Sequence, residues 1–204
     1  MTAIWLFRHG EPCETIHGRC YGKLDVELSA VGTKQVQAAA DYLRAEALAA
    51  VYASPRRRTQ QSAEILVQGR DCAVKLEKRL AEIDFGDFEG RSYEDIAASY
   101  PAIYKQWMEQ PTEVQFPNGE SFDQMRNRVL EAFCELLRRH SGQTIALVVH
   151  GGVNRIILAD VLGVPPHNIF RIAQAYAALN LLCYYADYPS VERVNLICYG
   201  SERC

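Results

Sequence analysis

The sequence predicts an α/β fold whose main strands run parallel, and three junctions predict it. Ile4-Trp5-Leu6-Phe7 ends in Arg8-His9-Gly10. Ala50-Val51-Tyr52-Ala53 ends in Ser54-Pro55 and the cluster Arg56-Arg57-Arg58. Thr144-Ile145-Ala146-Leu147-Val148-Val149 ends in His150-Gly151-Gly152. Short apolar runs closed by turn residues read as buried strands. Strands joined through helices run parallel, and right-handed crossovers gather their C-terminal ends on one edge. That edge is where open α/β sheets bind ligands.

The elements follow in order. Residues 11–22 are polar, carry Pro12, Gly18 and Gly22, and read as a loop on the ligand edge. Ser29 is a candidate N-cap for a helix with Val36, Ala39, Ala40, Leu43 and Ala47 on one face. Ser54 at N-cap and Pro55 at N1 predict a helix through the arginine cluster to about Leu66, stopped by Gly69. Val74–Leu76 reads as an edge strand and residues 80–90 as loop. From Ser92 to Gln110 short helical pieces are interrupted by Pro101 and stopped by Pro111, which predicts an insertion or lid. Phe116–Glu120 is a turn. Ser121 with Gln124 forms a capping box for a helix with Phe122, Met125, Val129, Phe133, Leu136 and Leu137 at helical spacing. Arg138, Arg139 and His140 suit its negative end. After the third junction a helix runs to Leu162, stopped by Gly163 and Pro165-Pro166. The runs Leu179–Tyr185 and Val191–Tyr199 predict a terminal hairpin turning at Tyr188-Pro189-Ser190.

Composition narrows the function. The chain has 204 residues, 49% of them apolar, which suffices for one sizeable core. A formal charge of −3 argues against general nucleic-acid binding. The seven cysteines (13, 20, 72, 134, 183, 198 and 204) form no CxxC pair, and point to a reducing, cytoplasmic compartment. No signal peptide precedes Arg8, and the apolar stretch Ala177–Ala186 is too short to span a bilayer. No HExxH-type pair suggests a metal, and no glycine-rich nucleotide motif follows any strand.

The ligand edge therefore collects His9, His150, Arg8 and the Arg56–Arg58 cluster beside glycine turns and helix N-termini. Such a place suits a phosphate dianion. One histidine can attack phosphorus and the other can donate to an oxygen. Flanking guanidinium groups should lower the nucleophile's pKa. A departing alcohol needs a proton, and the loop holding Glu82 and Asp84 is a source of carboxylic acid. Each piece alone has a plainer reading: a structural histidine, a solvated arginine face, a surface carboxylate. His17, His140 and His167 take that plainer reading. The coincidence of three complementary junctions favours the site.

The same residues resemble the histidine phosphatase superfamily, the phosphoglycerate-mutase-like proteins. Leu6-Phe7-Arg8-His9-Gly10-Glu11 resembles its signature. Gly22-x-x-Asp25-x-x-Leu28-Ser29-x-x-Gly32-x-x-Gln35 and Ser54-Pro55-x-x-Arg58-x-x-Gln61-Ser62-Ala63 resemble its next blocks. Phe116–Ser121 resembles its Pro-Gly-Gly-Glu-Ser turn, and Val149–Gly152 its second histidine. The resemblance implies a three-layer α/β/α fold, with a mainly parallel sheet and helices on both faces. It implies one domain over 1–204 with a helical lid at roughly 84–120. It implies His9 as nucleophile, Arg8, Arg58 and His150 as phosphate ligands, Glu82 as acid and then base, and the Gly151 N–H in the pocket. No metal or cofactor is implied. Pro12 and Thr15 stand where the family often has Thr and a phosphate-contacting Asn, so Thr15 is a substitute contact.

Within the family, Gly18-Arg19-Cys20-Tyr21-Gly22 and the Phe-Pro-x-Gly-Glu-Ser turn resemble α-ribazole phosphatases of cobalamin nucleotide-loop synthesis. Arg19, Cys20, Tyr21 and Gly22 become candidate substrate contacts. Tyr100, Tyr104 and Trp107 are candidates to stack on a flat base, or to pack the lid onto the body. The expected activity is phosphomonoester hydrolysis on a small molecule, with no nucleic-acid or membrane partner and no oligomeric state specified. The alternatives are a broad-specificity phosphatase, a phosphoglycerate mutase, or a non-catalytic phospho-ligand module.

Overall fold

Strand β1 (Thr2–Arg8) lies inside a six-stranded sheet, and its register sets the molecule's geometry. It pairs in parallel with β4 (Thr144–Val149), with Arg8 opposite Val149. The computed structural model describes residues 1–186 and 188–199, so Cys204 lies outside the described residues. The strand order is β3-β2-β4-β1-β5-β6, with β2 (Ala50–Ala53) and β3 (Val74–Leu76) parallel to β4. Strands β5 (Leu179–Tyr184) and β6 (Pro189–Leu196) run antiparallel on the other side of β1. The sheet is thus mixed, with four parallel strands and a hairpin added to them.

Alternation along β1 builds two cores. Ile4 and Leu6 point to the face covered by α5 (Phe122–Arg139) and α6 (Gly151–Leu162). Trp5 and Phe7 point to the face covered by α1 (Ala30–Tyr42) and α2 (Arg57–Val67). The expected three layers result. Helix α5 has the capping box at Ser121 and Gln124, and buries Phe122, Met125, Val129, Phe133 and Leu136. Each such side chain contributes about 1.5–3 kcal/mol when fully removed from water. Helix α6 stops at Gly163, which takes a left-handed φ of 66°.

Residues 81–120 leave this body and form a third apolar cluster. Helices α3 (Tyr93–Ser99) and α4 (Pro101–Glu109) pack around Phe88, Ile96, Val114 and Phe116, with Pro101 opening α4. Cys20, from the loop after β1, is buried in the same cluster. Among the described residues no helix is long and apolar enough to cross a membrane.

Three boundaries differ from expectation, each for a local reason. Helix α1 ends at Tyr42, so Ala47 is not on its face; the Arg70 guanidinium takes the Leu43 and Glu46 carbonyls and holds the chain in a turn. Helix α2 starts at Arg57 and not at Pro55. The Ser54 hydroxyl is committed elsewhere, and the Asp25 carboxylate accepts from the Arg57 N–H at 2.7 Å instead. The hairpin forms, but Pro189 and Ser190 already pair with Tyr184 and Cys183, so the turn precedes them.

Candidate active site

The register of β1 and β4 brings out His9 and His150 side by side, with ring centroids 5.2 Å apart. Both are buried. His9 Nδ1 lies 2.7 Å from the Gly10 carbonyl. A carbonyl only accepts, so the network assigns the proton to Nδ1 and leaves the Nε2 lone pair free. Burial, then the charges of Arg58 and Arg8, hold the His9 pKa well below the usual imidazole range. The ring is a neutral base at neutral pH.

His150 Nε2 lies 2.8 Å from Ser54 Oγ, the residue that follows β2. Both groups are buried, and the Ser54 hydroxyl proton is satisfied by donating to Nε2. Nδ1 then carries the ring proton, and it is buried without a hydrogen-bond partner among the described residues. Burial and the neighbouring cations also keep the His150 pKa well below its usual range. The ring offers a neutral, aimed N–H.

Two guanidinium groups face the histidines. Arg8 donates to the Gln174 carbonyl and stacks on Tyr176, with Cζ 4.2 Å from the ring centroid. Arg58 is buried and donates to the Leu24 and Gly22 carbonyls, each at 2.8 Å. In both arginines Nε is buried and unpartnered among the described residues. Three orphaned N–H groups, on Arg8, Arg58 and His150, make a receptor for an oxyanion. Gly151 opens α6, so its N–H adds the positive end of that helix.

Glu82 supplies a carboxylate on the other side. Its Oε1 accepts from the Ile83 N–H at 3.0 Å and its Oε2 from the Gly152 N–H at 3.1 Å. The loop that carries it is gripped from α5. Arg128 donates to the carbonyls of Arg79 and Ala81 at 2.7 Å and of Glu82 at 3.1 Å, and forms a two-pronged pair with Glu120.

The candidate site groups except His150, which is buried next to His9, line one cavity of about 310 Å³. Its inner end is Arg8, His9, Arg58, Glu82, Gly151 and Gly152. Its outer wall is apolar, with Phe85, Tyr93, Trp107 and Phe116 from residues 81–120 and Phe122 and Met125 from α5. Tyr93 and Trp107 stack at 5.6 Å. Arg155 of α6 also reaches the cavity, its Nε held by the Ile172 carbonyl at 2.9 Å.

The profile of the histidine phosphatase superfamily (branch 1) matches residues 4–197. The chain belongs to the histidine phosphatase superfamily. It is 31% identical over 202 residues to phosphoserine phosphatase 1 of Hydrogenobacter thermophilus, covering 99% of this chain and 96% of that one. It is 32% identical over 185 residues to the metal-independent phosphoserine phosphatase of Arabidopsis thaliana, covering 89% and 73%. Its structure superposes on the α-ribazole phosphatase of Shigella flexneri with a TM-score of 0.89 and 25% identity, covering 98% and 100%. Histidine phosphatases with these names support a phosphoric monoester hydrolase.

The family blocks now have physical content. Gly10 and Gly32 let β1's exit cross α1 closely: a Cβ on Gly10 would lie 2.4 Å from the Gly32 carbonyl oxygen. Gln35 accepts from the Glu11 N–H and Ser29 donates to the Glu11 carboxylate. Those residues secure the chain just beyond His9. Asn118 has φ 55°, a left-handed conformation that Asn tolerates where the family turn has Gly.

The structure gathers Arg8, His9, Arg19, Cys20, Tyr21, Arg58, Glu82, His150 and Gly151 at or beside the cavity. It does not place Thr15 or Gly22 there. Thr15 is exposed and its hydroxyl lies 3.0 Å from Cys13 Sγ, because the short 3-10 turn Glu14–Ile16 carries it away. Gly22 is structural: its N–H goes to the Glu89 carboxylate and its carbonyl to Arg58. Of the expected aromatics only Trp107 reaches the cavity, while Tyr100 and Tyr104 pack within the 81–120 cluster. Sequence reading missed Ser54, Arg155 and Tyr176. The Val-Asn-Arg spacing after His150 puts Arg155 one helical turn from Gly151, a signal that was available.

Proposed function

We propose that the protein is a metal-independent phosphomonoesterase working through phosphorylated His9, with α-ribazole 5′-phosphate as substrate. The observation that carries the reading is the set of unpartnered N–H groups on Arg8, Arg58 and His150 beside His9, whose Nδ1 is held by the Gly10 carbonyl. Phosphoryl oxygens take the N–H groups of Arg8, Arg58, His150 and Gly151. Nε2 of His9 attacks phosphorus, the ester P–O bond breaks, and Glu82 gives its proton to the leaving oxygen. Glu82 then takes a proton from water, whose oxygen attacks phosphorus and releases His9 and inorganic phosphate.

Residues 84–120 act as a lid, and the chain works as a single histidine-phosphatase domain. The aromatic wall suits a flat, apolar base on the leaving alcohol, in keeping with the α-ribazole phosphatase among its structural neighbours. The six described cysteines are free, which supports a reducing, cytoplasmic setting. One observation favours a second substrate. Arg155 is partly buried beside Arg8 and forms no ion pair among the described residues, and such a cation suits a carboxylate, as on phosphoserine.

Rapid quenching after mixing with labelled substrate should trap an acid-labile, base-stable phosphate on His9. Full turnover by a His9→Ala variant would overturn the mechanism. A panel of phosphomonoesters holding α-ribazole 5′-phosphate, phosphoserine and phosphoglycerate ranks the substrates. Label appearing on a sugar acid instead of inorganic phosphate would identify a mutase, and absence of turnover on every ester a binding module.

A further inference from the structure

We infer that Arg128, with Glu120, is the positioning residue for the Glu82 carboxyl, and that it governs proton delivery without touching substrate. The inference rests on the reading of Glu82 as the acid. Neither Arg128 nor Glu120 lines the cavity. Yet all five N–H groups of the Arg128 guanidinium are engaged, and three of their contacts are the carbonyls of Arg79, Ala81 and Glu82. Glu120 extends the grip beyond Glu82. Its Oε2 accepts from the Asp84 N–H at 3.1 Å, and its own N–H donates to the Asp84 carbonyl at 2.8 Å. The backbone is therefore held at residues 79, 81, 82 and 84, on both sides of the acid.

The carboxyl itself has slight support. Its two contacts are backbone N–H groups, and one of these belongs to the adjoining Ile83. Without a fixed backbone only the Gly152 N–H would define where it points. A carboxyl displaced by about 1 Å loses much of its catalytic effect. Arg128 reaches the loop from α5, a long helix anchored by its apolar face, so the acid is tied to the rigid body as well as, through Glu120 and Asp84, to the 84–120 segment.

The consequence is specific to the leaving group. An alkoxide must be protonated as the P–O bond breaks, whereas a dinitrophenolate leaves without a proton. The value of kcat/KM reports steps up to phosphorylation of His9, so it isolates this requirement from later hydrolysis. In Arg128→Gln, kcat/KM should fall about ten- to a hundredfold for an alkyl phosphate and under about threefold for dinitrophenyl phosphate. Glu82→Gln should show the same slope with leaving-group acidity, and the double variant should lose no more than Glu82→Gln alone. Glu120→Gln keeps an acceptor for Asp84 and should give a smaller slope of the same sign, which covers the case of an Arg128 variant that fails to fold.

A merely structural role would depress all esters equally and add to Glu82→Gln. Either result overturns the proposal. If Glu82→Gln itself shows no dependence on the leaving group, the assignment of the acid fails and takes the proposal with it, while labelled His9 would still stand.

Discussion

The two ends of the cavity are built on opposite principles. At the inner end the histidines and arginines are fixed by β-strand register or by hydrogen bonds: His9 by Gly10, His150 by Ser54, Arg58 by the carbonyls of Gly22 and Leu24. At the outer end aromatic rings pack mainly on one another, with Trp107 and Phe116 edge-to-face at 5.3 Å and Phe85 and Phe116 at 4.9 Å. The inner end can recognise one chemical group with directional bonds. The outer end offers shape and apolar area, which accept a family of leaving groups. On the proposed mechanism, reaction type and substrate choice fall to separate parts of the chain, which meet at Glu82 and the loop bearing Tyr21.

Substitutions should separate these roles, and the largest effect comes from the inner end. His9→Ala should reduce turnover at least about ten-thousandfold on every ester, checked by steady-state assay and loss of the labelled phosphoenzyme. His150→Ala removes one aimed donor and should lower kcat about a hundred- to a thousandfold, again irrespective of the leaving group. Trp107→Ala should act at the other end. It should weaken kcat/KM for α-ribazole 5′-phosphate by about 1–3 kcal/mol, the scale of base–aromatic stacking. Its kcat/KM for a small alkyl phosphate should hardly change, and equal losses on both would erase the division between the two ends.

The smallest effect is in pH. The folded protein holds His9 and His150 neutral at pH values where free imidazoles, with pKa about 6.5, are protonated. The acid limb of kcat/KM that reports His9 should therefore lie below that value. Arg8→Gln removes a cation and should move the limb upward. As pH falls through about 6.5 the unfolded chain takes up protons that the folded chain refuses, so stability should decline with acidification and be held above that range. Denaturant titrations of the ligand-free protein at several pH values check the sign.

Much of the inner end was legible in sequence because it depends on strand ends. A strand's C-terminal residue is fixed by the sheet, so Arg8-His9 and His150 follow once β1 and β4 are seen to be parallel neighbours. Arg58 is distinguished from Arg56 and Arg57 only by the family resemblance of its block. The outer end was less legible, since which of Tyr93, Tyr100, Tyr104 and Trp107 faces the cavity depends on how α3 and α4 pack, and their periodicity is weak. Thr15 lies away from the cavity because a local 3-10 turn redirects it, which its sequence neighbourhood does not announce. Ser54 was misread because its N-cap signal is real, but the hydroxyl binds His150 and leaves the cap to Asp25.

Gly152 shows how near this arrangement stands to another. A Cβ there would lie 2.4 Å from Oε1 of Glu82. The obstacle is the tip of a side chain and not backbone, so an alanine would turn the carboxylate aside while the sheet and the oxyanion receptor stay in place. Glycine and alanine codons differ by a single base. One point mutation would therefore move the proposed acid while leaving the phosphate-binding groups where they are, a substitution that separates proton delivery from phosphate recognition.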